Sequence, residues 1–234
     1  AILKTAREGY DGKGQWTIHQ ADELPAALAA SGVPCVLEKR LPLEGEFALT
    51  LARSPSGAIS ALPLVQNWHS GGILDQTRSP ANVPALEAEA QRIAEHIIAA
   101  LDYVGVLTVE FFLVGGELLV NEMAPRPHNS GHPSIDNAGC SQFELQVRAL
   151  CDLPLPAQAE VQPAILLNLL GDLWQDGTPD WAGALALPGV HLHLYGKSDA
   201  RPGRKMGHLT VVGNRAAEVL AAAHQLRDDI TVQS

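Results

Sequence analysis

Val106-Leu107-Thr108-Val109-Glu110-Phe111-Phe112-Leu113-Val114-Gly115-Gly116-Glu117-Leu118-Leu119-Val120-Asn121-Glu122-Met123 is a pair of apolar runs joined by two glycines. The pattern predicts a β-hairpin, because paired glycines reach the positive φ angles that a tight turn between twisted strands needs. Each arm carries one acid inside its apolar run, Glu110 and Glu122. A buried carboxylate is costly unless something compensates it. One solution is a shared cation, since hard oxygen donors on one sheet face suit Mg²⁺ bridging phosphates; the other is that both acids face solvent on an edge. Register decides between them. A two-residue turn pairs Glu110 with Asn121, a three-residue loop pairs Glu110 with Glu122, and the shared cation needs the second pairing.

Directly after the hairpin comes Ala124-Pro125-Arg126-Pro127-His128-Asn129-Ser130-Gly131-His132, a dense polar run leaving a buried strand. Strand ends running into loops are where α/β enzymes place their sites. Arginine, two histidines, asparagine and serine so close together favour a small anion such as bicarbonate or an acyl phosphate. Upstream, Gly9-Tyr10-Asp11-Gly12-Lys13-Gly14 connects two extended runs. Its glycines could turn backbone N–H groups toward a phosphate or simply form a hairpin turn. It is neither a dinucleotide fingerprint nor a Walker A loop, because no helix opens after the last glycine. Arg201-Pro202-Gly203-Arg204-Lys205-Met206-Gly207-His208 is the concentrated basic cluster, with glycines that could let the backbone join its cations around a phosphate.

The remaining elements can be read outward from the hairpin. Leu86, Ala90, Ile93, Ala94, Ile97, Ile98 and Leu101 follow helical spacing ahead of it. Ser141 and Glu144 form a capping box behind it. Strands are expected at Ala1 to Ala6, Cys35 to Arg40, Glu46 to Ser54, Ala164 to Leu170, Val190 to Tyr195 and His208 to Val212, with helices near Asp22, as N-cap, and through Val219 to Leu226. The fold class is therefore α+β. Proline-rich punctuation at Leu153 to Pro156 supports three units, 1–62, 63–155 and 156–234.

The chain has 234 residues, 46% of them hydrophobic, enough for a folded core. Acids outnumber bases 26 to 16, which argues against nucleic acid or anionic lipid as partner. Cys35, Cys140 and Cys151 are odd in number and lack metal-ligand spacing, so they read as reduced thiols of a cytoplasmic protein. No apolar run approaches the roughly 20 residues of a membrane span. Because the first residues already read as a strand, the chain is expected to begin inside a domain, with something missing upstream.

Lys4, the Gly-Tyr-Asp-Gly-Lys-Gly-Gln run ending at Gln15, Glu38-Lys39-Arg40-Leu41, Glu46, Glu110, Asn121-Glu122 and the run to His132 together resemble the ATP-grasp superfamily. Within it, Asn121 to His132, Ser141-Gln142-Phe143-Glu144 and Arg201 to His208 resemble the N5-carboxyaminoimidazole ribonucleotide synthases. The resemblance runs nearly the full length and implies an ATP-grasp fold of two α+β lobes followed by a small β-rich C-terminal domain. The family's N-terminal domain is expected to be absent, which would leave the ribonucleotide pocket incomplete.

By the same resemblance, Lys4 holds nucleotide phosphates and Gly9, Tyr10, Asp11, Gly12, Lys13, Gly14 and Gln15 form the flap over them. Glu38, Lys39, Arg40 and Leu41 face adenine, Glu46 the ribose, and His69 a further nucleotide position. Glu110 and Glu122 carry magnesium, with Asn121 alongside. Arg126, His128 and Asn129 meet bicarbonate and the acyl phosphate. Lys197, Arg204 and Lys205 take the substrate phosphate, and Tyr10 closes over the second substrate. The implied ligands are ATP, Mg²⁺, bicarbonate and aminoimidazole ribonucleotide, the implied assembly a homodimer, and the implied product a carboxylated amine made through carboxyphosphate. The formate-dependent glycinamide ribonucleotide transformylases share the Pro-Arg-Pro-His run but normally lack the counterpart of His132. A non-catalytic nucleotide-binding module is the alternative from another class.

Overall fold

The computed structural model describes residues 1–232 apart from 8, 10, 11, 158–160, 176 and 180, and leaves the side chains of 227–232 undescribed. A three-stranded antiparallel sheet opens the chain, with β1 (Ile2–Thr5) between β2 (Gln15–Thr17) and β3 (Cys35–Glu38). Leu3, Ile18 and Ala27 form its small core. The helix expected at Asp22 has no side-chain cap: a single 3₁₀ turn, Ala21–Glu23, runs straight into α1 (Leu24–Ser31). Pro25 sits in its first turn and has no N–H to be capped there.

The second sheet is larger. It contains β4 (Gly45–Arg53), β5 (Ile59–Ala61), β6 (Val65–Ser70), β7 (Ile73–Ser79), β8 (Gly105–Val114), β9 (Glu117–Ala124), β10 (Ala164–Leu170), β11 (Val190–Leu194) and β12 (Lys205–Val212). The strand order is β11-β12-β10-β7-β6-β4-β8-β9, with β5 beside β4. This one sheet takes strands from before residue 62, between 62 and 155, and after 155. β4 pairs with β8 along its whole length, and the C-terminal strands join the large sheet where β10 pairs with β7. Pairing partners far along the sequence decided this, and no local composition marks them.

Helix α2 (Pro84–Ala100) lays Ala90, Ala94 and Ile98 on β4 and β8, where Phe47, Leu49, Leu51, Leu107, Val109 and Phe111 complete the main core. Its small residues let the helix lie close to the sheet. After β9 come α3 (Ser134–Asn137) and α4 (Gln142–Leu150), the latter capped by Ser141 Oγ accepting the Glu144 N–H at 3.2 Å, as the capping box predicts. A second core joins β10 and β12 to α6 (Ala216–Val232) and α5 (Trp181–Leu185) through Ile165, Leu167, Leu209, Val219, Ala223 and Leu226. Among the described residues no helix is long and apolar enough to cross a membrane.

Candidate active site

A cleft of about 820 Å³ runs between the small sheet and the large one. On the small-sheet side, Lys4 Nζ and Glu38 Oε2 meet at 2.6 Å, and Lys4, Gly9, Gly12, Gln15, Glu38, Lys39 and Leu41 line the space. Gly12 has φ +74°, and a Cβ there would stand 3.2 Å from Gly71 O and Gly72 Cα, so Gly12 lies against the β6–β7 turn. Lys13, Gly14 and Arg40 do not line the cleft. Gly14 packs instead on Thr5, whose Oγ1 would be 2.6 Å from an added Cβ. Tyr10 and Asp11 lie outside the described residues. Ile2, Leu43, Leu74 and Phe112 give the cleft an apolar wall that the sequence reading missed, because each sits in an ordinary strand or connector pattern.

The acids occupy the large-sheet wall. The turn at Gly115 and Gly116 is the two-residue kind, with φ +60° and +79° and Val114 opposite Glu117. On that register Glu110 would meet Asn121. A β-bulge between Phe111–Val120 and Glu110–Glu122 takes up Asn121 as the extra residue and brings the two glutamates opposite each other. The turn length followed one reading and the pairing the other, and the bulge reconciles them. One ligand atom each from Glu110, Glu122 and His128 lies within 4.8 Å of the others. Burial, then the neighbouring Glu122 and Glu46 carboxylates, outweigh His69 and Lys205 and push Glu110 up to about 7. Two converging carboxylates, one resisting ionisation beside the other, are a donor set that a hard dication fits. Glu46 Oε2 stands 2.9 Å from His69 Nδ1. Burial pulls the His69 pKa down, but the Glu46 carboxylate prevails and the net shift is upward.

The loop after β9 is held from beneath by Gln142, at the N-terminus of α4 and fully buried. Its Oε1 accepts the His128 N–H at 2.8 Å, and its Nε2 donates to His128 O and contacts His132 Nδ1, both at 2.8 Å. An added Cβ on Gly131 would lie 2.4 Å from Gln142 Oε1, so this clamp needs glycine there. His128 Nδ1 accepts the Ser130 N–H, which leaves Nε2 carrying the proton 3.3 Å from Glu110 Oε1. Burial, followed by Arg126 and Lys205, lowers His128 to about 4, so it is a neutral imidazole at physiological pH. Burial likewise lowers His132 to about 4.

Asn129 and Asn168 exchange side-chain amide hydrogen bonds at 3.1 and 2.9 Å, and Asn168 also donates to Leu74 O at 2.8 Å. Asn67 Nδ2 donates to Ser130 Oγ at 2.9 Å. Sequence reasoning did not single out Gln142's clamping role, Asn67 or Asn168. Asn168 carries the mark that exposed Glu110, a polar residue inside an apolar strand.

At the C-terminal end, Lys205 and Lys197 line the cleft beside Tyr195, and Lys197 Nζ donates to Lys205 O at 2.6 Å. Arg204 does not line it: its Nη1 donates to Asp199 O at 2.7 Å, and Arg201 pairs with Asp199 at 2.8 Å. The expected backbone cradle is also spent elsewhere. Gly203 N–H goes to Asp172 Oδ2 at 2.7 Å, and Gly207 is a paired residue of β12. Asp199 and Asp172, which take the Arg204 and Gly203 donors, both lie outside the basic run.

The profile of the ATP-grasp domain family matches residues 1–143, and that of the phosphoribosylaminoimidazole carboxylase C-terminal domain matches 164–222. The N5-carboxyaminoimidazole ribonucleotide synthase of Synechococcus elongatus is 45% identical over 215 residues, which is 90% of this chain and 54% of that protein. The crystal structure of N5-carboxyaminoimidazole ribonucleotide synthetase from Thermus thermophilus aligns with TM-score 0.85 at 41% identity, over 96% of this chain and 61% of that one. The Aspergillus clavatus N5-carboxyaminoimidazole synthase, in complex with ADP and 5-aminoimidazole ribonucleotide, aligns with TM-score 0.88 at 33% identity, over 98% of this chain and 62% of that one. The chain spans little more than half the length of the Synechococcus relative.

Proposed function

The chain belongs to the ATP-grasp family, and from that premise we propose that it supplies the nucleotide and bicarbonate site of a ligase that carboxylates 5-aminoimidazole ribonucleotide to its N5-carboxy product. The carrying observation is that one cleft is lined together by a lysine with glycines of the connector, an apolar wall, a converging carboxylate pair, a neutral histidine, an arginine and two lysines. Lys4 and the connector would take the phosphates, and Ile2, Leu41, Leu74 and Phe112 the flat base. Glu46 would accept from the ribose hydroxyls.

Glu110 and Glu122 would hold magnesium, which supplies charge neutralisation to the transferring phosphoryl group. A bicarbonate oxygen attacks the γ-phosphorus and the bond to ADP breaks, giving carboxyphosphate. The substrate amine then forms its bond to the carbonyl carbon as the bond to inorganic phosphate breaks, and the amine's proton passes to the departing phosphate. Arg126, which lines the cleft, would balance the charge of the bicarbonate and the acyl phosphate. His128, neutral and with its proton on Nε2, donates rather than repels beside Glu110. Lys205 and Lys197 would fix the ribonucleotide's phosphate, and a closed connector would keep water from carboxyphosphate.

ADP release by the protein carrying this sequence, with and without aminoimidazole ribonucleotide and bicarbonate, tests the reading. Stimulation that requires both supports it. Stimulation by glycinamide ribonucleotide and formate instead would assign the transformylase reaction, and tight ATP binding without turnover under either condition would leave a nucleotide-binding module.

A further inference from the structure

Outside the cleft, β11, β12 and α3 bring a second set of titratable side chains together. Asp136 on α3 has only 7% of its side chain exposed, and both its oxygens lie 3.0 Å from His193 Nε2. His193 on β11 pairs in register with His208 on β12. His191, two residues before His193 on the same strand, reaches Asp136 Oδ1 at 3.7 Å. One ligand atom each from Asp136, His193 and His208 lies within 4.8 Å of the others. His208 is 1% exposed. Tyr195 OH engages its Nδ1 at 2.8 Å, while its Nε2 is buried without a hydrogen-bond partner among the described residues. A buried ring nitrogen left unpaired costs on the order of 1–3 kcal/mol, and in native proteins such an atom meets a water or an ion.

We infer that Asp136, His193 and His208 form a binding site for one divalent transition-metal ion of the zinc class. Two imidazoles and one carboxylate are a nitrogen-rich, borderline donor set, which zinc, cobalt, nickel and copper favour and magnesium does not. Tyr195 on the far nitrogen of His208 is the kind of partner that fixes a ligating imidazole's tautomer and orientation. His191 stands ready to take a further coordination position or hold a water there. Metal–nitrogen bonds of about 2.0–2.1 Å require the three atoms to draw in from their present separation. His193 also has to turn, because its ring now stacks on His208 at 4.6 Å and 20°. The bound ion would clasp α3 to the β11–β12 ladder. His132 stacks on His208 at 5.2 Å, so the clasp would brace the loop that carries Arg126 and His128.

The test is a titration of chelator-treated protein with Co²⁺, as a visible reporter for zinc, in excess Mg²⁺. One equivalent should bind with ligand-field absorption, be displaced by Zn²⁺ and not by Mg²⁺, and raise the unfolding temperature. Asp136→Asn and His193→Gln should each weaken Co²⁺ binding at least tenfold and abolish the thermal shift, while Glu110→Gln leaves both unchanged. Circular dichroism checks that each variant is folded, and because the His193 side chain is 31% exposed its substitution spares the core. Co²⁺ affinity unchanged by both substitutions, or no stoichiometric binding at all, overturns the proposal.

Discussion

Two clusters of carboxylate and imidazole flank one loop in sequence, and they differ in which donor dominates. Glu110, Glu122 and His128 put two oxygens against one nitrogen in an open cleft, whereas Asp136, His193 and His208 put two nitrogens against one oxygen at a strand–helix junction. In the first, like charges converge and Glu110 is pushed up to about 7, so the site gains by taking a hard dication. In the second, Asp136 already has a histidine against each oxygen, and the unsatisfied atom is a nitrogen. The same residue types therefore point to different cations because their ratio and burial differ.

The largest effect should come from removing charge at the oxygen-rich cluster. Glu110→Gln is expected to lower turnover by about 10²-fold or more, the scale of losing one preorganised electrostatic partner of the transition state, measured as ADP release at saturating ATP. Without metal the same variant should be more stable than wild type at pH 8, by about 1–3 kcal/mol, because it removes a buried charge and, with it, the repulsion from Glu122. Equal stability of the two would mean that neither burial nor the Glu122 charge penalises an ionised Glu110 and would break the contrast between clusters.

Next in size is Gln142, which touches both His128 and His132 and so supports the loop between the clusters. Gln142→Leu should cost about 2–4 kcal/mol in urea unfolding, since it leaves His128 N–H, His128 O and His132 Nδ1 buried without partners. A loss under 1 kcal/mol would show that the loop is held mainly by Asn67 and Asn168.

The pH dependence of stability sets the buried histidines and Glu110 against each other by sign. His128 and His132 are lowered to about 4 and His208 to about 3, so between pH 6.5 and 4 the unfolded chain takes up protons that these residues refuse in the fold. Their contribution is lost as pH falls through that window. Glu110 acts oppositely: its folded pKa is raised, so its contribution is full below 4.5 and gone by about pH 7. His69, raised by Glu46, acts with Glu110, so three histidines oppose two groups, and stability should drop on acidification from 6.5 to 4. Glu110→Gln should steepen the drop, as read from urea midpoints.

The smallest expected contrast lies within the basic run. Lys205→Ala should raise the ribonucleotide KM about tenfold, the loss of one phosphate contact of roughly 1.4 kcal/mol. Arg204→Ala, whose guanidinium is tied to Asp199, should change it less than twofold.

The sequence made the hairpin, α2 and the Ser141 cap legible because each is written in local periodicity or spacing. The strand β7 and the short helices α3 and α5 were not legible, since Ile73–Ser79 mixes polar and apolar residues and the helices are too short to show a period. Convergence of Glu110 with Glu122 depended on a bulge at Asn121, which neither turn length implies. The basic run read as a phosphate cradle until Asp172, distant in sequence, was seen to take the Gly203 N–H. Asn67 and Asn168 carried a visible signal, a polar residue in an apolar strand, yet nothing local says which loop such a residue will hold.

The central claim is that Glu110 and Glu122 hold the cation of a magnesium–nucleotide complex. Calorimetric titration of ATP with Mg²⁺ near pH 6.5, repeated in buffers of different ionisation enthalpy, tests it most directly, because a carboxyl with a pKa of about 7 must give up its proton to coordinate metal. The account predicts proton release on binding by wild-type protein, and weak binding without release by Glu110→Gln. Equal affinity and equal proton release in the two proteins would contradict it.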